Sequence, residues 1–536
     1  MFEQSLNPTG HLWLTILAAL TPLVALILML AVFRITAWLA STLAGMLTIA
    51  VGIVVWHAPL ANTLKSYLFG GLTGIWSIDW ITFWALIIFN TLVLTGSFGR
   101  FRDWMVHHAT ADIRIQTIML AWAFGALLEG LVGFGYPWAV VVPILVGLGI
   151  ADLEAIRVAA LANNAPVSYG ALGIPIIGLA AVTGLPLMAL SRSIGNVVAI
   201  LALLPPWVLI YLVSGWEGVA EAWPLAIVGS LSYIAGQWPV AHYLGPYLPD
   251  ISGSLVSFWL LFLFVKVWQP KTIRGFGGVP LAPAAAISNG SEPVSGREAF
   301  SAWMPYIVLI LVVVAWTGPW SHLPAISWFK LSVATKSSVT GKALASTFNF
   351  APLIGGTSIL ASWLVIVTIL RPGAQILKQV FIKTFKQMWG ALLVAFFIFA
   401  LAYIFVYTGM ANSLAYGFSK MGVFFVVVAP ILGWIGVALS GSNTSTNAMF
   451  GPVQMVTGRL LNLPVLLLPS LNSVGAEVGK PIAPQTASVG VSTSKLVRSE
   501  GQVIRHNMGW TLIVLAYLIL IAVVIYHFFP NWMSLE

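Results

Sequence analysis

The chain has 536 residues, 59% of them apolar and only 7% Asp, Glu, Lys or Arg. Soluble domains carry about 25% charged residues, so at a mean hydropathy of +0.97 this chain cannot cover a water-facing surface and reads as a polytopic membrane protein. The net charge of +9 does not indicate a nucleic-acid partner, because the basic residues collect on one side of the bilayer, and the absence of Cys excludes disulfides, thiolate chemistry and Cys-based metal sites.

Met1 to Gly10 contains no Lys or Arg and includes Glu3. The apolar run that follows is about twenty residues long, too long and wrongly flanked for a cleavable signal peptide, and reads as the first transmembrane helix. Runs of this kind predict full spans near 11–33, 35–55, 80–98, 115–128, 153–165, 194–213, 251–268, 303–316, 352–370, 388–408, 421–439 and 508–528. Apolar stretches broken by Gly, Pro and polar residues lie at 131–150, 168–190, 223–246, 441–458 and 460–492. With these partly spanning, about 12–14 crossings are expected.

Residues 269–300 have loop composition and join a first membrane half, 1–268, to a second, 301–536. The GFGG at 275–278 within this linker has no strand before it and opens no helix, which argues against a phosphate loop. The Ser/Thr-rich stretch 321–349 predicts a solvated external loop or a surface-lying helix. With both termini outside, fifteen of the 24 Lys and Arg residues fall on the cytoplasmic side and five outside, a clear positive-inside bias that puts the linker in the cytoplasm.

The informative places are those where apolar runs are interrupted, since irregular backbone at membrane depth survives only inside protein or along a water-filled cavity. Two lie in the first half, Leu128-Glu-Gly-Leu-Val-Gly-Phe-Gly-Tyr-Pro137 and Asn163-Asn-Ala-Pro-Val-Ser-Tyr-Gly-Ala-Leu-Gly-Ile-Pro175. Two lie in the second, Ser440-Gly-Ser-Asn-Thr-Ser-Thr-Asn-Ala-Met-Phe-Gly451 and Gly479-Lys-Pro-Ile-Ala-Pro-Gln-Thr-Ala-Ser-Val-Gly490. Paired breaks at similar spacing in each half point to a transporter of two pseudo-symmetric, inverted repeats, with discontinuous helices or re-entrant hairpins meeting at a midplane site. Broken helices present free N–H groups and the positive end of the dipole to an anion. Ser442, Asn443, Thr444, Ser445, Thr446 and Asn447 add hydroxyl and amide groups that can hydrogen-bond a carboxylate or a 2-hydroxyl, and Gly133 and Gly135 permit close backbone approach.

At these four breaks the sequence resembles the L-lactate permease family. The matching elements are LEG…GFGxP at 128–137, N-x-A-P-V-x-[FY]-G-A-x-G-I-P at 163–175, GSNTS-x-NA-x-FG at 441–451 and GK-x-I-x-PQ at 479–485. The resemblance covers essentially the whole chain and implies proton-coupled uptake of L-lactate, D-lactate and glycolate across a prokaryotic plasma membrane, with no cofactor. Tyr136, Trp138, Asn164, Tyr169 and Glu477 depart from the pattern expected at their positions, and the first two add bulk beside the expected site wall. That change points to a narrower pocket or a different monocarboxylate.

Ionisable groups at membrane depth cost about 2.5–3.5 kcal/mol or more, so each is a functional hypothesis. Glu129, four residues before the GFG break, is the first candidate for proton coupling. A buried carboxyl resists ionisation, as a proton carrier must, whereas the structural alternative is a cap on broken-helix N–H groups. Glu477 and Lys480, three apart, are expected to pair on one helical turn, with Lys480 available to a substrate carboxylate and Glu477 as a second proton-coupling candidate. Arg192, flanked by serines, is the competing anion ligand unless it snorkels to an interface. Asp152, Glu154 and Arg157 are expected in a short interfacial turn, the histidines, His108 among them, in loops or near span ends, and His242 in a Pro/Gly-rich stretch with Tyr243. No His pair has metal-ligand spacing beside a carboxylate.

The candidate substrate-binding residues are therefore Gly133, Gly135, Tyr136, Asn163, Asn164, Ser168, Arg192, Ser442, Asn443, Thr444, Ser445, Asn447, Lys480 and Gln485, with Glu129 and Glu477 for proton coupling. The expected protein is an all-α carrier, monomeric or homodimeric, whose partners are a small monocarboxylate anion, H⁺ and the lipid bilayer. The rivals are a Na⁺-coupled carrier, in which the SNT hydroxyls ligate the ion, and a membrane-embedded enzyme, for which no HExxH or other catalytic constellation is present.

Overall fold

The computed structural model describes residues 1–536 except 108–109, 134, 282–295, 497 and 536. His108, Phe134 of the first break and residues 282–295 of the 269–300 linker lie outside the described residues.

The protein is a helical membrane protein. Eight helices are long and apolar enough to cross a bilayer, and a ninth unit, Asp152–Ala162 with Val167–Thr183, is bent by 66° at its break. Shorter apolar helices cover Tyr136–Gly147, Trp303–Thr317 and Gly355–Leu370. The unit Leu187–Tyr243 has 57 residues, far more than the ~20 that span a hydrocarbon core. It is interrupted within its long helix at Gly215, with φ 69°, and at Ala222.

The span expected at 80–98 begins much earlier. Leu60–Leu94 is one 35-residue helix whose middle, Gly74–Asp79, is wound as a π-turn. The 115–128 run likewise contains a π-turn, Thr117–Phe124. The stretch expected to be broken at 223–246 is helical beyond the Ala222 kink, with Pro224 directly after that kink, where a helix start tolerates proline, and Pro239 further along.

The second-half helices approach closely through small residues. Helix Phe425–Ser440 packs along helix Leu467–Gly479. A Cβ on Gly433 would come within 2.9 Å of the Ala476 nitrogen, one on Gly475 within 2.8 Å of the Pro430 carbonyl carbon, and one on Gly479 within 2.6 Å of Trp434 O. Lipid tails are as apolar as Leu, so backbone approach at small residues replaces the hydrophobic effect as the packing force here.

The stretch 321–349 is neither a loop nor a helix. It folds into strands β2, Phe329–Lys336, and β3, Ala343–Phe350, paired antiparallel with Phe329 opposite Phe350 and Lys336 opposite Ala343, while β1, Phe2–Glu3, adds in parallel beside Thr335 and Lys336. Val333, Thr335, Ser346 and Phe348 are buried at alternate positions, the period-two signature of a half-covered strand, and Ser66 Oγ reaches Ser346 Oγ at 3.1 Å to seat the hairpin on helix 60–94. The ammonium of Lys336, 2.8 Å from Glu3 Oε1, holds that exposed carboxyl below its ordinary pKa.

The described part of the linker is pinned. Arg274 pairs with Glu221 at 2.7 Å, its backbone N–H donates to Asp112, and buried Arg114 binds Asp112 at 2.7 Å and Thr272 O at 2.7 Å. The glycine-rich 275–278 segment is a tight turn against Ser214, where Gly278, φ +76°, brings a would-be Cβ to 2.8 Å of Ser214 O. Asp152, Glu154 and Arg157 lie in the first turns of a helix, not in a loop. Glu154 binds Arg157 at 3.1 Å and His506 at 2.8 Å, and Asp152 accepts the Lys495 N–H at 2.7 Å, so these charges join the first half to helix Glu500–Phe528.

Replacing Gly475 by Leu should force helices 425–440 and 467–479 apart. The expected outcome is a loss of at least about 2 kcal/mol, read as a lowered melting temperature in detergent, with Gly475→Ala intermediate.

Candidate functional site

All four sequence breaks are breaks in the structure, and each has a local cause. Helix Gly125–Leu131 ends before Gly133 and Gly135, both with positive φ (64° and 81°), and Pro137 stands in the first turn of the next helix, Tyr136–Gly147. Helix Asp152–Ala162 gives way to a 3₁₀ turn, Val167–Tyr169, and then to Ala171, Leu172 and Gly173 in the left-handed region. Helix 425–440 stops at Gly441, φ 73°, and the Ser442 hydroxyl caps helix Asn443–Leu460 by accepting the Ser445 N–H at 3.2 Å. Helix 467–479 passes into a 3₁₀ turn, Lys480–Ile482, and Pro484 opens the short helix Pro484–Ser492.

These breaks converge on a cavity of about 560 Å³. The first contributes Glu129, Gly133, Gly135 and Tyr136, the second Val167, Gly170, Ala171, Ile174 and Pro175, the third Ser440 to Ser445, and the fourth Lys480, Gln485 and Thr486. Helix 60–94 adds Ile78, Asp79, Thr82 and Leu86, and helix Ala374–Thr408 completes the wall. Three of the breaks are joined by one carboxylate. Lys480 Nζ lies 2.8 Å from Glu129 Oε1, both side chains at least nine-tenths buried, and Asn163 Nδ2 donates to Glu129 Oε2 at 3.0 Å. The carboxylate presses so closely on the second break that a Cβ on Gly170 would sit 2.6 Å from Oε1. The third break is keyed to the fourth in the same way, with a Cβ on Gly441 falling 2.5 Å from Gln485 Oε1.

The expected Glu477–Lys480 pair does not form. The helix tightens into a 3₁₀ turn at Lys480, and the two side chains take different partners. Lys480, on the turn beyond, faces the cavity and a carboxylate 351 residues away, while Glu477 packs against the second break and accepts the Ser168 hydroxyl at 2.5 Å. Glu477 belongs to a buried polar network behind the cavity wall. Asn447 Nδ2 donates to Ser473 Oγ and to Pro175 O, each at 3.0 Å, Asn472 donates to Asn447 at 3.0 Å, and Asn443 donates to Ser473 O at 3.1 Å. Ser168, Asn447 and Glu477 therefore hold the breaks together without lining the cavity.

Asn163 acts on the cavity through Glu129, and Asn164 is buried with no side-chain partner among the described residues. Arg192 lies elsewhere: its Nε donates to His242 O at 2.9 Å at an exposed position, because helix Leu187–Leu201 packs along helix Pro205–Tyr243. Tyr136 lines the cavity, its hydroxyl accepting from Gln387 Nε2 at 2.8 Å and its ring 4.8 Å from that of Phe89. Trp138 and Tyr169 are fully buried away from it. Sequence reasoning missed Asp79, Thr82 and Gln387. The signal for Asp79 is a lone acid within the apolar run Gly-Ile-Trp-Ser-Ile-Asp79-Trp-Ile-Thr-Phe-Trp, one residue before the span expected at 80–98. Among the described residues no three His, Asp or Glu side chains are grouped to hold a metal ion.

An anion entering this cavity meets one ammonium, already claimed by a carboxylate, and the N-terminal turn of helix 443–460 with its free N–H groups and hydroxyls.

Residues 15–529 match the family model described as L-lactate permease. The chain is 32% identical over 538 residues to the glycolate permease GlcA of Escherichia coli strain K12, covering 96% of each chain. It is 30% identical to the L-lactate permease of the same strain, again over 96% of each, and 29% identical to that of Bacillus subtilis strain 168 over 99% of each. Among solved structures, the YdaH transporter of Alcanivorax borkumensis, described as having an unusual topology, matches with a TM-score of 0.50 at 14% identity, covering 92% of this chain and 99% of that one. That likeness is one of fold alone.

Removing one member of the buried pair strands the other charge, at a cost of about 3–5 kcal/mol, whereas removing both does not. Lys480→Met should therefore lower the melting temperature more than the double variant Glu129→Gln/Lys480→Met, a comparison that thermal unfolding in detergent makes directly.

Proposed function

The chain belongs to the L-lactate permease family, a multi-pass protein of the prokaryotic plasma membrane, and on that premise we propose that it is a symporter of H⁺ with small 2-hydroxymonocarboxylates: L-lactate, D-lactate and glycolate. The observation that carries the reading is the Lys480–Glu129 ion pair inside the cavity formed by the broken helices.

The coupling follows from charge. In the empty carrier Lys480 and Glu129 neutralise each other. A monocarboxylate competes with Glu129 for the ammonium, and an anion added to the ionised pair leaves one negative charge uncompensated in a low-dielectric site, which costs several kcal/mol. A proton taken up by Glu129 removes its claim on Lys480. The substrate carboxylate then takes the ammonium, and protonated Glu129 stays beside Asn163. The loaded site, one ammonium with one substrate carboxylate, is as neutral as the empty one, so both can reorient. On the low-H⁺ side Glu129 loses its proton, recaptures Lys480 and displaces the substrate.

The first turn of helix 443–460 supports the same reading, since Asn443, Thr444 and Ser445 offer N–H and hydroxyl donors to the anion, and Gln485 lies against Gly441 beside them. We further take the two membrane halves, 1–268 and 301–536, as pseudo-symmetric repeats with both termini outside, in keeping with the paired breaks and the distribution of Lys and Arg.

Purified protein in proteoliposomes should accumulate labelled L-lactate under an inward H⁺ gradient without Na⁺, with competition by glycolate and abolition by an uncoupler. A strict Na⁺ requirement would overturn proton coupling, and no uptake of any 2-hydroxy acid would overturn the substrate class. Glu129→Gln, fixed in the protonated-like state, should lose gradient-driven accumulation by at least about tenfold while keeping lactate–lactate exchange, and Lys480→Met should lose both.

A further inference from the structure

The cavity holds a second carboxylate that the coupling scheme does not use. Asp79 is 4% exposed, lines the cavity, and its Oδ2 is buried with no hydrogen-bond partner among the described residues. It is the last residue of the π-turn Gly74–Asp79, and such turns insert an extra residue that re-aims side chains, frequently at functional sites. Its cavity-lining neighbours on the same helix are Ile78, Thr82 and Leu86. Of the other lining residues on this helix and on helix 374–408, Thr82 and Gln387 carry polar side chains: the Thr82 hydroxyl donates to Ile78 O at 3.0 Å, and Gln387 donates to the Tyr136 hydroxyl and accepts from Asn90, each at 2.8 Å. Among the described lining residues Lys480 is the one cation, and it is paired with Glu129.

A buried acceptor without a donor is costly, and a molecule bound in the cavity can supply that donor. A 2-hydroxymonocarboxylate has one such donor. Its carboxylate only accepts, and is suited to Lys480 and to the N-terminal turn of helix 443–460. Its 2-hydroxyl donates. We propose that Asp79 accepts the 2-hydroxyl of the bound substrate and so determines the preference for 2-hydroxy acids over 2-oxo and unsubstituted monocarboxylates. A 2-oxo acid sets oxygen against oxygen at Asp79, and an unsubstituted acid leaves the acceptor unpaired. Sites built to bond a substrate hydroxyl reject analogues that lack it far more strongly than apolar pockets reject size differences. The inference rests on the substrate class given under Proposed function.

The test compares binding of L-lactate, pyruvate and propionate to wild-type protein, Asp79→Asn and Asp79→Ala, by competition in proteoliposome exchange and by ligand-induced thermal stabilisation of the purified full chain. Wild-type protein should favour L-lactate. In Asp79→Ala the ratio of propionate to L-lactate inhibition constants should fall about tenfold or more, with propionate binding retained. Asp79→Asn, which keeps one acceptor oxygen, should fall between. An unchanged ratio in either variant overturns the proposal, and if Asp79→Ala does not fold, the Asp79→Asn ratio decides. Equal loss of all three ligands in folded variants also overturns it, assigning Asp79 to the architecture of the cavity. Wild-type protein that takes up propionate and pyruvate but no 2-hydroxy acid overturns the substrate class instead.

Discussion

Ionised groups survive in the interior of a membrane protein only when something of opposite charge or a set of hydrogen bonds accompanies them, and in this protein that requirement converges on Glu129. Its carboxylate meets the ammonium of Lys480 at 2.8 Å and the amide of Asn163 at 3.0 Å, and it presses against the backbone at Gly170. One side chain thus ties the first break to the second and the fourth. The pair and the Asn163 bond are contacts that three broken helices share at the cavity.

The rest of the site frames this pair with fixed contacts. Behind the wall, the Ser168–Glu477 bond and the amides of Asn443, Asn447 and Asn472 lock the second and third breaks to helix 467–479. Small residues let that helix lie on helix 425–440 at backbone contact. Rigid packing thereby surrounds one ion pair and one carboxyl group, Asp79, whose Oδ2 has no partner among the described residues.

Much of the architecture was legible before any coordinates. Membrane class followed from composition. The positions of the four breaks followed from Gly, Pro and polar residues in apolar runs, because the bilayer forbids unsatisfied backbone and so makes each interruption meaningful. Glu129 and Lys480 each stood out as a charge at membrane depth. Hydropathy was weaker where its assumption fails. The 60–79 region is polar enough to look like a loop, yet it is helix, because tertiary packing against helix 374–408 overrides its composition. The 329–350 hairpin carries a period-two pattern that was overlooked among its Ser and Thr residues.

What one-dimensional information determined here is local: which segments enter the membrane, where their helices must break, and which residues are too costly to be there without purpose. Those are consequences of solvation, a property each segment has by itself. Partnership is not local. That Lys480 pairs with Glu129 instead of Glu477, that Arg192 turns to the His242 carbonyl, and that Asp79 shares a cavity with the broken helices were decided only by the tertiary structure. A pair of charges 351 residues apart in the chain leaves no spacing to read, because its energy depends on distances that exist only once the helices have packed.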